Sequence, residues 1–229
     1  MSARQQLEER GWLVFPSVIP PLLCRQFVSD IEAIWSDLGR PALYSRSDVP
    51  LGSDVLVCPV GMAVHRLLDR NAGARDLLLP PPVVSVVQSI LGAGFRLEVT
   101  SGALSDDSRP FLFWHHHVGG LVDARDYLAQ PVRYPTFRRI ERLSCTFYPV
   151  PLDDDHGVML VQSRQVTDPT EPPYPDMEGP WPGQETVRCP PGSIILADQS
   201  VWHAVTPMRM KGRRAFAAGF LVRADAAAH

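Results

Sequence analysis

Three consecutive histidines, His115, His116 and His117, follow the aromatic pair Phe113-Trp114 and precede Gly119-Gly120. Neutral imidazole is a common transition-metal ligand, because one ring nitrogen keeps a free lone pair near physiological pH. A β-strand sends alternate side chains to opposite faces, so on a strand His115 and His117 share a face while His116 points away. Two imidazoles at i and i+2 can reach one ion. A third ligand from a distant strand then completes a facial set that leaves positions open for substrate and oxygen. His203 is the natural third ligand, in a Trp-His-Ala-Val turn expected at the end of the strand that runs from Gly192 to Asp198. His116 reads as structural and His156, in an Asp-rich turn, as solvated. His65 and His229 carry no signal.

Such ligands need strands to hold them. From about residue 94 the chain breaks into short segments bounded by Gly, Pro or Asp, which predicts strands at 95–100, 111–117, 142–150, 158–162, 193–197 and 215–222. Residues 143–148 alternate with period two. Two helices are predicted ahead of them. One follows Pro20-Pro21, with Leu23, Phe27, Ile31, Ile34 and Leu38 at helical spacing and Gly39 as the stop. The other is 83–91, with Val83, Val84, Val86, Val87, Ile90 and Leu91 on a broad apolar face, although its β-branched content also suits a strand. Helices followed by many short strands predict an α+β arrangement with a barrel or jelly-roll core. The expected organisation is one domain over 1–229, helical to about 92 and barrel from about 93 to 225. The Pro-rich stretch 167–184 reads as a long loop within that sheet system.

Composition sets limits on partners. A net charge of −3 gives no electrostatic reason to expect nucleic acid. No apolar run approaches the roughly 18 residues that span a bilayer, and the N-terminus lacks an apolar signal-peptide core. Cys24, Cys58, Cys145 and Cys189 show no metal-type or paired spacing, so they are expected to be reduced core residues of a cytoplasmic protein. A monomer or homodimer acting on a small molecule is the expectation.

Several segments, in order along nearly the whole chain, resemble the phytanoyl-CoA dioxygenase-like family of iron- and 2-oxoglutarate-dependent oxygenases. Residues 7–35 are similar to its N-terminal pattern of an acidic helix, a glycine (Gly11), a short strand and a helix after proline. FLFWHHHVGG (111–120) resembles its Trp-His-x-Asp strand, 143–165 its central strand and Leu-Asp-Asp turn, and 190–223 its distal-histidine segment. The resemblance implies a double-stranded β-helix (a cupin-like jelly-roll barrel) with N-terminal helices packed outside. It also implies Fe(II), 2-oxoglutarate as co-substrate, molecular oxygen, and a small-molecule substrate drawn from classes that include natural-product intermediates. The family's basic residue sits about eleven positions after the distal histidine, which here gives Arg214. Its planar fork suits the far carboxylate of 2-oxoglutarate. Arg213 should face the other way. Thr146 or Tyr148, on the central strand, is expected to donate to the co-substrate's other oxygens, with Trp114, Trp202 and Phe113 shaping the pocket. Arg138-Arg139 reads as a solvated loop.

The chain departs from the family at the metal. The usual carboxylate, two positions after the first histidine, is replaced by His117, so the site reads His115, His117, His203. A second register remains open, in which His117-Val118-Gly119 matches the His-x-Gly of iron halogenases and the missing carboxylate leaves room for chloride. A third option takes Asp123 or Asp126 as a ligand. Gln162–Gln165 also stands where the family has Pro-Gly-Ser-His. Beside the 2-oxoglutarate-dependent oxygenase, two alternatives therefore stand. One is an oxygenase, halogenase or isomerase working without 2-oxoglutarate, and the other a metal- or ligand-binding protein that lost oxygenase chemistry.

Overall fold

The computed structural model describes residues 1–118 and 136–226. Two antiparallel sheets face each other in a jelly-roll arrangement. The larger has eight strands. In spatial order they are β1 (Trp12–Phe15), β10 (Ser193–Asp198), β7 (Arg142–Tyr148), β12 (Arg213–Val222), β5 (Arg96–Asp106), β4 (Gly61–His65), β3 (Val55–Cys58) and β2 (Val49–Pro50). The smaller runs β6 (Leu112–His115), β11 (Trp202–Val205), β8 (Met159–Gln162), β9 (Glu185–Val187).

Period-two alternation sorts the apolar residues into three layers. Outside the large sheet, Leu143, Cys145 and Phe147 of β7 and Ala215, Ala217 and Leu221 of β12 pack against the helices. Between the sheets lie Trp12, Tyr148, Met159, Val161 and Ile195, with Phe216 against them. Outside the small sheet, Trp114, Leu160, Trp202 and Ala204 pack under Met177 and Trp181 of the Pro-rich segment. The loop 167–184 thus closes the back of the small sheet.

The helices are α1 (Ala3–Arg10), α2 (Pro21–Asp37), α3 (Leu67–Arg70), α4 (Ala74–Leu78) and α5 (Pro81–Leu91). Proline at the first position starts both α2 and α5, where its missing N–H costs nothing. In α2 the buried stripe is Cys24, Phe27 and Ile31, while Leu23 and Leu38, expected on that stripe, are exposed. Gly102 lets α2 sit close on β5: a Cβ there would meet Ile31 Cδ1 at 2.7 Å. Residues 83–91 are helical, with Val83, Val87, Ile90 and Leu91 buried. The region up to 92 holds more than the expected helices, since β1 to β4 all join the large sheet. Among the described residues no helix is long and apolar enough to cross a membrane.

Candidate metal centre

Alternation places the histidines as their spacing requires. Along 112–118, Leu112, Trp114, His116 and Val118 are buried on one side, while Phe113, His115 and His117 are half-buried on the other, toward the large sheet. His203 is not in a turn at the end of β10, as expected, but on a strand of its own. Residues 199–201 reverse the chain so that β11 runs beside β6, with His203 directly opposite His115. This pairing makes a third ligand, 88 positions along the chain from His115, a neighbour of the first, and the His117 N–H bonded to Gln199 O at 2.7 Å continues the contact past the strand end.

One nitrogen from each of His115, His117 and His203 lies within 4.8 Å of the others. The ring centroids are 4.2 Å apart for His115–His203, 5.0 Å for His117–His203 and 5.2 Å for His115–His117. His115 Nδ1 donates to Phe113 O at 2.8 Å and His203 Nδ1 to Val201 O at 3.0 Å. A carbonyl can only accept, so Nδ1 carries the proton and Nε2 keeps a bare lone pair. This is the carbonyl support usual behind metal-bound histidines. His117 is held by its backbone N–H on Gln199 O at 2.7 Å and by the Phe220 ring at 4.7 Å. Burial, and then repulsion from His203, pushes His115 and His117 well below the ordinary imidazole value, and burial lowers His203. All three are therefore neutral donors at pH 7. Three neutral imidazoles gathered this closely are a donor set that suits a first-row transition ion.

His116 faces the aromatic layer, 4.4 Å from the Trp202 ring. Trp114 and Trp202, expected to shape the pocket, lie in that same outer layer. Trp114 stacks on Trp181 at 4.2 Å and donates to Gly179 O at 2.6 Å, and Trp202 Nε1 donates to Thr170 O at 3.0 Å. They face outward because each is the immediate neighbour of a histidine ligand on its strand, Trp114 beside His115 and Trp202 beside His203, and adjacent side chains point to opposite faces. Phe113 does line the inner side, 5.8 Å from His115. Asp123, Asp126 and Gly119 lie outside the described residues.

The inner face of β12 carries Arg214, Phe216, Ala218 and Phe220. Arg214 is 2% exposed, and its Nη1 donates to His156 O at 2.9 Å and Gly157 O at 3.1 Å. Its Nε is buried without a hydrogen-bond partner, and among the described residues no carboxylate forms an ion pair with it. Arg213 faces outward, onto Glu32 at 2.7 Å and over the Trp35 ring. Thr146 and Tyr148 share the inner face of β7, Thr146 opposite Ala218 and Tyr148 against Phe216 at 5.9 Å. Burial raises the Tyr148 phenol and the Arg214 charge opposes the rise, so it stays a neutral hydroxyl. His156 is a turn residue bonded to Asp153 at 2.7 Å, and Arg139 is exposed beside Asp225, both as expected.

Motif reading missed Arg109. It lies six residues before His115, is 1% exposed and projects beside Arg214. Nothing in its surroundings marks it, since it closes the polar turn Asp106-Asp107-Ser108 and precedes Pro110.

The fold and the triad together define a jelly roll carrying a three-histidine cluster between its sheets. Solved structures of this architecture include the non-haem alpha-ketoglutarate-dependent carbocyclase SnoK from nogalamycin biosynthesis. It superposes with a TM-score of 0.66 and 16% identity over 97% of this chain and 83% of that one. HygX from Streptomyces hygroscopicus, with nickel and 2-oxoglutarate bound, gives 0.66 and 13% over 98% and 88%. The epimerase SnoN, also from nogalamycin biosynthesis, gives 0.65 and 15% over 96% and 82%. No protein-family model and no curated protein matches the chain by sequence.

Proposed function

We propose that this chain is a non-haem iron enzyme of the 2-oxoglutarate-dependent kind, oxidising a small molecule of natural-product type. The observation that carries the reading is the convergence of three neutral imidazoles, two with Nδ1 tied to backbone carbonyls. His115, His117 and His203 would hold Fe(II), with His117 standing where the phytanoyl-CoA dioxygenase-like family has its aspartate. Iron with 2-oxoglutarate would supply oxidation by molecular oxygen. The buried Arg214, with an unpartnered Nε, would bind the far carboxylate, with Thr146 and Tyr148 beside it. Thr206 follows the end of β11 and lies three residues beyond His203, about 10 Å along an extended chain. A short dicarboxylate with one end on the metal spans such a distance. Phe113, Phe216 and Phe220 keep water from the charged ends. The four cysteines are all buried and free, in keeping with a reducing, cytoplasmic compartment.

Anaerobic addition of Fe(II) and then 2-oxoglutarate tests the reading. The expected result is the weak visible charge-transfer band of the chelate, at one iron per chain. One observation favours a second reading. Three neutral ligands leave the ion with one more positive charge than two histidines and a carboxylate would, which suits chemistry without 2-oxoglutarate. Stoichiometric iron with no such band would select it, and a chain that takes up no metal would be a binding protein.

A further inference from the structure

Arg109 and Arg214 approach each other across one turn of chain. Arg214 Nη1 donates to Gly157 O at 3.1 Å. Gly157 has φ +85°, and a Cβ there would lie 3.3 Å from Arg214 Nη1 and 2.6 Å from Thr206 O. That same Thr206 O accepts from Arg109 Nη2 at 2.9 Å. Arg109 Nη1 adds bonds to Pro110 O at 3.0 Å and Val205 O at 3.5 Å. Two guanidiniums therefore flank Gly157 and Thr206, next to Tyr148 on the inner face of β7. Each is at most 2% exposed, and each has a buried Nε with no hydrogen-bond partner. Among the described residues neither has a carboxylate in ion-pair range.

Backbone carbonyls satisfy some N–H groups but cannot neutralise two buried charges. Burial, and then the charge of Arg214, pushes Arg109 down to about 9, the mark of a cation that lacks its counter-ion. A strut needed only to bond three carbonyls could be neutral. Two cations at one point call for an anion.

We infer that Arg109 is a second carboxylate-binding residue, which with Arg214 forms one doubly cationic pocket for the far end of a short dicarboxylate. That the occupant is the co-substrate rests on the function proposed above, whereas the anion pocket itself does not.

The test is calorimetric titration of the full-length chain with glutarate, which has the two carboxylates but no 2-oxo group to chelate a metal. Wild type should bind it. Arg109→Gln and Arg214→Gln should each weaken binding about tenfold to hundredfold, the scale of one charged hydrogen-bond pair, and Arg109→Lys should recover part of the loss. If Arg109→Gln disturbs folding, thermal melts of the folded fraction decide: glutarate should raise the wild-type midpoint and leave that of the variant in place. Glutarate affinity within twofold of wild type in Arg109→Gln, alongside a large loss in Arg214→Gln, would reduce Arg109 to a strut and overturn the proposal. No glutarate binding by wild type would overturn it too. Arginine-dependent glutarate binding in a chain that takes up no iron would uphold the pocket while removing the oxygenase reading.

Discussion

The two faces of the small sheet carry the same residue types to opposite ends. On the inner face His115, His117 and His203 converge, two of them steered by single hydrogen bonds to carbonyls. On the outer face His116 is packed edge-on to Trp202, in a layer where Trp114, Trp181 and Trp202 contact one another and every indole N–H finds a backbone carbonyl. One face is built to leave lone pairs free, and the other to bond each of its indole N–H groups. The second makes the first possible, because strands stiffened from behind can hold three donors without an ion to gather them. Residue type alone does not assign a role here; the side of the strand does.

The sharpest way to break this division is to remove an inner ligand. His203→Ala or His115→Ala should abolish stoichiometric iron and zinc, measured by elemental analysis, while His117→Asp should keep the metal. Unchanged metal content in both alanine variants would end the assignment. An outer-face change should do the reverse. Trp181→Ala removes a buried aromatic and should cost about 3–5 kcal/mol in urea unfolding with iron stoichiometry intact. Loss of metal at unchanged stability would show that the faces are not separate.

The adjacent arginines of β12 repeat the contrast at smaller scale. Arg214→Ala should weaken 2-oxoglutarate binding by about 1.5–3 kcal/mol. Arg213→Ala, which loses only a surface pair with Glu32 and its place over Trp35, should leave that affinity unchanged. Equal effects would mean the strand faces were misassigned.

The mildest test uses pH. Burial, and then repulsion from His203, pushes His116 down to about 3. An imidazole kept neutral by the fold takes up its proton only on unfolding, so stability is lost as pH falls below about 6.5. His116→Phe should remove about 1.4 kcal/mol of the stability difference between about pH 7.5 and about pH 5.5, read from urea midpoints. An unaltered difference would place the acid sensitivity elsewhere.

Much of this was legible in the sequence because period two is a local property. The shared face of His115 and His117 and the opposite faces of Arg213 and Arg214 follow from alternation, while the choice of Arg214 as the inward one came from the eleven-residue spacing of the resembling family. What alternation cannot say is which way a strand faces relative to the core, and so Trp114 and Trp202 were expected in the pocket they turn away from. Nor does it show pairing: β11 is four residues long, bounded by no Gly or Pro, and becomes a strand only because β6 and β8 flank it. Strands β2 to β4 were hidden because each is only two to five residues long, too short to show a period, and they join the large sheet only where β4 pairs with β5. Arg109 escaped because its partner is another arginine, brought close only by the turn at Gly157.

The pairing of β1 with β10 also has a consequence for synthesis. Trp12 lies opposite Ala197, and Phe15 opposite Ile194. At ~5–20 residues per second, the apolar strand β1 waits about 10–40 s for its partner to be made. During that time Trp12, Leu13, Val14 and Phe15 form an unpaired edge. The nascent chain must be shielded there until its last third emerges, so the yield of folded protein should depend on translation speed and on chaperones that cover such a segment.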